Sequence, residues 1–352
     1  MKKILVGMSG GVDSAVAALL LKQEGYEVTG VTLRTWEEGG SRCCEIDKAR
    51  ETARILEIPY HVINCASEFK RKVEKPFAES YRKGLTPNPC VLCNREIKWE
   101  WMLYAAQVFR AEGIATGHYA SLVHLDNGRY TIRQAKDPDK DQSYMLYRLT
   151  QEQLAKTCFP LGELTKEEVR GLADHAGLPS AAGKDSQEIC FVTQGRYTDF
   201  IQCRYPDSAV TKGNFIDSEG RIIGQHRGIV HYTVGQRKGL GLALGCPVYV
   251  KRICPESNEV VIAKEEDLYS DGIICGDVQF MSLADIKEGE KIRATVKVRY
   301  HHPGAEAVIE KYGACRVRVS FDRPVRAPAP GQSAVFYDEG QNVVGGGIIL
   351  PG

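Results

Sequence analysis

With 46 Lys and Arg against 45 Asp and Glu in 352 residues, the chain has a formal net charge of +1, so a nucleic-acid partner has to be held by local basic patches rather than by a whole-molecule field. The length suffices for a catalytic domain plus one or two smaller ones. The opening apolar run, Ile4 to Met8, is too short for a signal-peptide core or a membrane span, which predicts a cytoplasmic protein with no membrane partner.

Lys3 to Met8 predicts a buried strand, Val12 to Gln23 an apolar helix closed by Gly25, and Tyr26 to Leu33 a second strand. This βαβ unit carries a Gly/Ser turn at the carboxyl end of its first strand, where open parallel sheets bind nucleotides. Ile46 to Leu56 (helix), Tyr60 to Asn64 (strand), Phe69 to Tyr81 and Ile97 to Glu112 (helices) and Ile114 to Thr116 (strand) continue the alternation. The pattern predicts a doubly wound α/β domain with a parallel sheet over residues 1–195. Beyond that point β-branched runs lie between Gly, Asp-Gly and Pro signals. Thr211 to Ile223 reads as a hairpin within a short central module, residues 196–268. Runs at Ile273-Ile274, Lys291 to Tyr300, Ala307 to Glu310, Cys315 to Phe321, Ser333 to Tyr337 and Val343 to Leu350 predict a small all-β barrel or sandwich over residues 269–352.

Gly7 and Met8 lead into Ser9-Gly10-Gly11-Val12-Asp13-Ser14, between the first strand and the first helix. Glycines let the backbone turn tightly, and amides at a helix start point at whatever anion sits there, so the turn suits a pyrophosphate. No Gly-Lys-Ser/Thr follows, so this is not a Walker loop. The string instead resembles the PP-loop of the ATP-pyrophosphatases, which cleave ATP between its α and β phosphates. That resemblance implies that Asp13 helps place Mg2+, that Ser9 and Ser14 bond phosphate oxygens, and that Leu33 and Gly117, ending two strands, flank adenine and ribose.

Of the twelve cysteines, Cys65, Cys158, Cys203, Cys246, Cys254, Cys275 and Cys315 are expected to be small buried hydrophobes in a reducing compartment. Cys43 and Cys44 stand side by side in a polar segment without an assigned role. Thr86-Pro87-Asn88-Pro89-Cys90-Val91-Leu92-Cys93-Asn94 places two thiols in a proline-bounded segment expected to precede a helix, whose N-terminus, with Arg95 and Lys98, would lower the pKa of Cys93. Cys190 follows a charged, loop-like stretch. A persulfide on one cysteine, cleaved by a second thiolate through thiol–disulfide exchange, supplies the sulfur needed to replace an activated oxygen.

The strings S-G-G-V-D-S, T-P-N-P-C-V-L-C-N, G-H-Y-A, K-D-Q-S-Y, D-S-Q-E-I-C-F and Y-T-V-G-Q-R-K-G-L-G together resemble the tRNA-specific 2-thiouridylase family over nearly the whole chain. The resemblance implies adenylation of the 2-oxygen of a tRNA wobble uridine, then sulfur delivery. Cys93 would be the catalytic nucleophile and Cys190 the persulfide carrier, with a cysteine desulfurase or relay protein as sulfur donor. Many members carry aspartate where this chain has Cys90. Three cysteines, Cys90, Cys93 and Cys190, could therefore bind a [4Fe-4S] cluster instead, and that alternative stays open at this point.

A base must leave its stack before chemistry at its carbon, so Asn88, Pro89 and Cys90 are expected to line a pocket for it. His118, Lys140, Asp141 and Gln142 match family positions that contact tRNA. Arg299, Tyr300 and His301, in a strip with Lys291, Arg293, Lys297 and His302, and the neighbourhood of Gln332, are expected to dock RNA; taken alone, such a strip is equally an ordinary solvated strand face. Two rivals remain: an ATP-pyrophosphatase that amidates a small molecule, for which no glutaminase is evident, and a non-catalytic RNA- or metal-binding protein.

Overall fold

The computed structural model describes residues 2–36, 46–179, 189–192, 195–205 and 211–352. Cys43, Cys44 and the Asp185–Glu188 part of the second cysteine motif lie outside the described residues. Strands β1 (Lys3–Gly7), β2 (Glu27–Arg34), β3 (Tyr60–Asn64) and β4 (Gly113–Thr116) are parallel neighbours; a hairpin, β5 (Ser121–His124) with β6 (Tyr130–Arg133), follows, and β7 (Thr157–Cys158) completes the main sheet. The order β3-β2-β1-β4-β7 reverses between β1 and β4, as expected for a doubly wound sheet, and opens a crevice beyond their carboxyl ends.

Helices cover both faces. On one, α1 (Val12–Gln23) and α2 (Ile46–Ile55) pack their Ala-rich stripes under β1 and β2. Two further helices are longer than predicted. The first runs unbroken through α3 (Ala66–Phe69), a π-helical turn at Lys70–Glu74 and α4 (Lys75–Arg82). The second starts at α5 (Pro89–Cys93), passes through a π-helical stretch at Asn94–Trp99 and ends as α6 (Glu100–Val108). Beyond the hairpin come α7 (Ser143–Leu146), α8 (Gln151–Ala155), α9 (Lys166–His175), which packs on α1, and α10 (Tyr197–Arg204).

The central module is a four-stranded sheet of β8 (Gly213–Ile216), β9 (Ile222–His226), β10 (Tyr249–Cys254) and β11 (Glu259–Ala263), in the order β10-β11-β8-β9. β8 and β9 form the predicted hairpin, with its turn at Asp217–Gly220. β12 (Tyr269–Phe280), β13 (Lys291–Lys297), β14 (Ala305–Lys311), β15 (Val317–Arg326), β16 (Ser333–Tyr337) and β17 (Val343–Ile349) close into a barrel, which decides between the barrel and sandwich alternatives. No described helix is long and apolar enough to cross a membrane.

The barrel shares its core with the α/β domain. Leu5, Trp99, Met102, Tyr144 and Tyr147 form one buried cluster with Val335, Tyr337 and Val343. Gly346 makes that contact feasible, because a Cβ there would lie 2.6 Å from Cδ2 of Tyr147. Thr131 Oγ1 donates to the Val343 carbonyl at 2.6 Å, and the Tyr144 hydroxyl to that of Ser333 at 2.8 Å. A buried polar group placed so is satisfied only while the two parts stay together.

Candidate active site

The turn after β1 is braced by its own serines. Ser14 Oγ accepts from the Ser9 amide at 3.1 Å and donates to the Gly11 carbonyl at 3.0 Å, and Ser9 Oγ accepts from the Gly11 amide at 3.4 Å. Gly10 sits at φ 81°, a conformation that favours glycine. The N-cap of α1 is Gly11, with no side chain capping the helix, so neither Asp13 nor Ser14 serves as an ordinary cap. Met8 is fixed at the strand end by a polar chain, Tyr60 hydroxyl to Thr32 Oγ1 to Met8 carbonyl, each bond 2.6 Å long. Val12 is buried in the core under α1, and Leu33, near the end of β2, is part-buried between two cores on the opposite face of the sheet.

Asp13 is held from two distant segments. Lys166 Nζ, at the start of α9, lies 2.7 and 2.9 Å from its two carboxylate oxygens, and the Tyr119 hydroxyl donates to it at 2.7 Å. Tyr119 is set in turn by Gln142: its amide donates to Gln142 Oε1 at 3.1 Å, and its carbonyl accepts from the Gln142 amide at 2.9 Å. Gly117 lies against the loop so closely that a Cβ would stand 2.6 Å from both Asp13 C and Ser14 N. Asp13, Gly117, Tyr119, Gln142 and Lys166 thus form one arrangement across the switch point. The Asp13 side chain retains 32% exposure, which leaves its carboxylate accessible to a cation arriving with a phosphate ligand. Lys166 and Tyr119 are the residues that sequence reasoning missed; the G-H-Y-A string contains Tyr119, whereas nothing local marks Lys166.

His118 is engaged by core residues. Its Nδ1 pairs with Thr116 Oγ1 at 2.8 Å and its ring packs near Trp99 and Phe159. Burial, then the Lys98 ammonium, hold its pKa well below the usual imidazole range. Asp141 is buried and accepts from the Ala135 and Ser143 amides at 3.1 Å and from Ser143 Oγ at 2.9 Å; burial raises its pKa against those bonds. The Tyr300 hydroxyl donates to the Asp141 carbonyl at 2.8 Å, and Lys297 Nζ approaches its carboxylate at 3.9 Å. Lys140 sits in the turn before it, its amide bonded to the Asp137 carbonyl at 3.2 Å.

The expected basic strip therefore divides. Lys297 and Tyr300 face inward, Lys291 and Arg293 pair with Glu310 and Asp322, and Arg299 and His301 remain exposed. Gln332 donates to the Thr86 carbonyl at 2.9 Å, and the Thr86 amide donates to the Pro330 carbonyl at 2.8 Å, so the barrel clamps the segment that leads into the first two thiols.

Cys93 needs a correction. It does not precede a helix; Asn88 is the N-cap, accepting from the Cys90 amide at 3.2 Å, and Pro89 is the first helical residue. Proline favours that position because its missing N–H would be unpaired there anyway. Cys90 occupies the first turn, exposed and beside Tyr300, whose phenol is pushed up to about 12 by burial, Asp141 and Cys90. Cys93 is 7% exposed and shares a buried cluster with Phe69, Phe77 and Ile97, against which Cys190 also packs. The structure thus brings Cys93 and Cys190 to one apolar cluster, which Leu33 and Trp36 join at the end of β2. Among the described residues no group of three His, Cys, Asp or Glu side chains is placed to hold a metal ion. Of the seven cysteines expected to be buried, Cys65 and Cys275 are; Cys203, Cys246 and Cys315 are exposed, on loops and a helix end where no core reaches them.

Residues 2–194 match the family model described as tRNA methyl transferase HUP domain, 198–264 the tRNA methyl transferase PRC-barrel domain and 270–349 the aminomethyltransferase beta-barrel domain. The tRNA-specific 2-thiouridylase MnmA of Lachnoclostridium phytofermentans is 48% identical over 99% of this chain and 100% of its own. Those of Acetivibrio thermocellus and Clostridium perfringens are 48% and 45% identical, over 99% of this chain and 99% and 98% of theirs. A solved 4-thiouridine synthetase–RNA complex with bound ATP aligns over 59% of this chain and 51% of that one, at 16% identity and a TM-score of 0.36, too distant to inform the chemistry. By full-length identity to these relatives, the chain belongs to the tRNA-specific 2-thiouridylase family.

Proposed function

We propose that the protein is an ATP-dependent sulfurtransferase that converts the wobble uridine of tRNA to 2-thiouridine, releasing AMP and pyrophosphate. The observation that supports this reading is that Cys93 lies in, and Cys190 packs against, one apolar cluster that Leu33 and Trp36 join at the end of β2, in the sheet that also bears the Ser9–Ser14 loop. Residues 1–195 would adenylate and thiolate, 196–268 form the central module, and 269–352 dock RNA. ATP binds along Gly7 to Ser14, with Leu33 and Gly117 flanking the nucleoside. Asp13, together with phosphate oxygens of the nucleotide, would hold a magnesium ion, which would supply positive charge against the leaving pyrophosphate. Lys166 and Tyr119 keep the Asp13 carboxylate aimed, and the loop amides receive the departing phosphates.

The base, extruded from its loop, enters near Asn88, Pro89 and Cys90, with His118, Lys140, Asp141, Gln142, Arg299, Tyr300, His301 and Gln332 shaping or supporting the RNA surface. A cysteine desulfurase or relay protein loads sulfur on Cys190. The Cys93 thiolate attacks the Cys190 sulfur of the persulfide; a Cys93–Cys190 disulfide forms and hydrosulfide leaves, adds to the adenylated carbon and expels AMP. The reading implies a cytoplasmic site of action. The test is nucleoside mass spectrometry of tRNA incubated with enzyme, Mg-ATP and a sulfur source. Replacement of one uridine oxygen by sulfur is expected, and Cys93→Ala or Cys190→Ala should each abolish it while ATP binding persists. A methylated base, or unmodified tRNA despite ATP cleavage, overturns the reading.

A further inference from the structure

The sequence Cys90-Val91-Leu92-Cys93 sets two thiols three residues apart at the start of α5. Helical residues at that spacing are neighbours, with Cβ atoms about 5–6 Å apart, whereas a disulfide brings them to roughly 3.5–4.5 Å. A small adjustment of one turn joins them. Their surroundings differ, however: Cys90 is exposed, Cys93 is 7% exposed within the Phe69–Phe77–Ile97 cluster, and Cys190 is half-buried against it.

This contrast matters for turnover, and the inference rests on the sulfurtransferase reading above. One round of sulfur release leaves a disulfide between Cys93, seated in the apolar cluster where a reductant protein has poor access, and Cys190, half-buried against it. We propose that Cys90 is the resolving thiol. Its thiolate, formed by losing a proton to solvent, attacks Sγ of Cys93; the Cys93–Cys190 bond breaks, a Cys90–Cys93 bond forms, and Cys190 departs as a thiolate ready for the next sulfur. No net oxidation occurs in that exchange. The two electrons arrive afterwards from an external dithiol reductant, which attacks Cys90 at the surface, is itself oxidised to a disulfide, and restores Cys90 and Cys93 as thiols. Because Cys90 and Cys93 share a helix turn, their exchange is intramolecular and has a high effective concentration.

The experiment is a disulfide map after one turnover. Reduced enzyme is loaded with sulfur by a cysteine desulfurase and free cysteine, stripped of small thiols, given tRNA and Mg-ATP, then quenched with acid and alkylated. Trypsin releases Cys90 and Cys93 in one peptide, Gly84 to Arg95, and Cys190 in another, so the two disulfides have different masses. Wild type is expected to show the bond within the Gly84–Arg95 peptide, whereas Cys90→Ser traps the cross-link to the Cys190 peptide and slows repeated turnover with a dithiol reductant by about tenfold or more. A persistent Cys93–Cys190 cross-link in wild type, or Cys90→Ser turning over at the wild-type rate, overturns the resolving role. Thiolated tRNA without the Cys90–Cys93 bond sinks this proposal alone. Neither thiolated tRNA nor any disulfide sinks the sulfurtransferase reading beneath it.

Discussion

Gly117→Ala tests whether the loop after β1 is set by its opposite wall. Gly117 lies outside the left-handed region, so its requirement is one of space. An alanine Cβ would stand 2.6 Å from Asp13 C and Ser14 N and 2.8 Å from Asp13 O, where ordinary contact begins at 3.4 Å, and all three atoms are backbone. The wall or the helix start therefore retreats by roughly 0.8 Å, at a cost of about 2–3 kcal/mol, since neither side can rotate away. A shift approaching 1 Å at a phosphate site costs up to about a hundredfold in rate. Tyr119, two residues on, moves with the wall and loosens its bond to Asp13. The assay is tRNA-dependent pyrophosphate release from ATP, run beside thermal unfolding. Gly171→Ala serves as the control: that glycine lies in α9 with open space around its Cβ position, and the change should stabilise by about 0.5–1 kcal/mol. A Gly117→Ala enzyme with wild-type pyrophosphate release and melting temperature would refute the reasoning.

Tyr119→Phe removes the 2.7 Å bond to Asp13 while keeping the ring, and should lower the adenylation rate by about tenfold, read as AMP formed per minute, equivalent to roughly 1–2 kcal/mol for a bond to a charged group. Gln332→Ala frees Thr86 at a cost of about 1 kcal/mol; thiolation should fall while ATP affinity, measured by calorimetry, stays within about twofold. Glu74, buried beside α10, has its pKa raised to about 7 by burial, against the opposing pull of Arg204 and Lys70. A carboxyl raised in the folded state holds its proton more tightly there than in the unfolded chain. Its contribution is complete below the ordinary glutamate range and drains away as pH climbs to about 7. Glu74→Gln should therefore raise the melting temperature at pH ~8 and change it little at pH ~4, and equal shifts at both would count against a buried carboxylate.

What the sequence disclosed was local. The Ser9–Ser14 turn needs only adjacent residues, and the parallel sheet follows from alternation, so both could be read without a fold. The partners of Asp13 could not, because Tyr119 and Lys166 lie 106 and 153 positions away, brought in by the two strands' topology. Proline punctuation misled at Pro89: read as a boundary before a helix, it is the first turn of one, with Asn88 as cap. The Ile97 start was consequently eight residues late, and Cys93 moved from a helix mouth into its second turn. Gln332 and Tyr300 were expected at an RNA surface as polar residues in a basic neighbourhood; their bonds to Thr86 and Asp141 bridge 246 and 159 positions and belong to the seam between barrel and sheet. Only a completed fold exposes such pairings.

That seam also governs when the protein matures during synthesis. The nucleotide turn is fully encoded in the first few dozen codons, but the grip on Thr86 comes from Pro330 and Gln332, and the barrel shuts only when β17 pairs with both β12 and β16. A ribosome that stalls before that strand leaves the Asn88–Cys93 turn without a closed barrel to clamp it and the core around Leu5 and Trp99 without Val343. Prematurely ended copies would thus carry the early strands while lacking the seam that fixes the turn bearing Cys90 and Cys93.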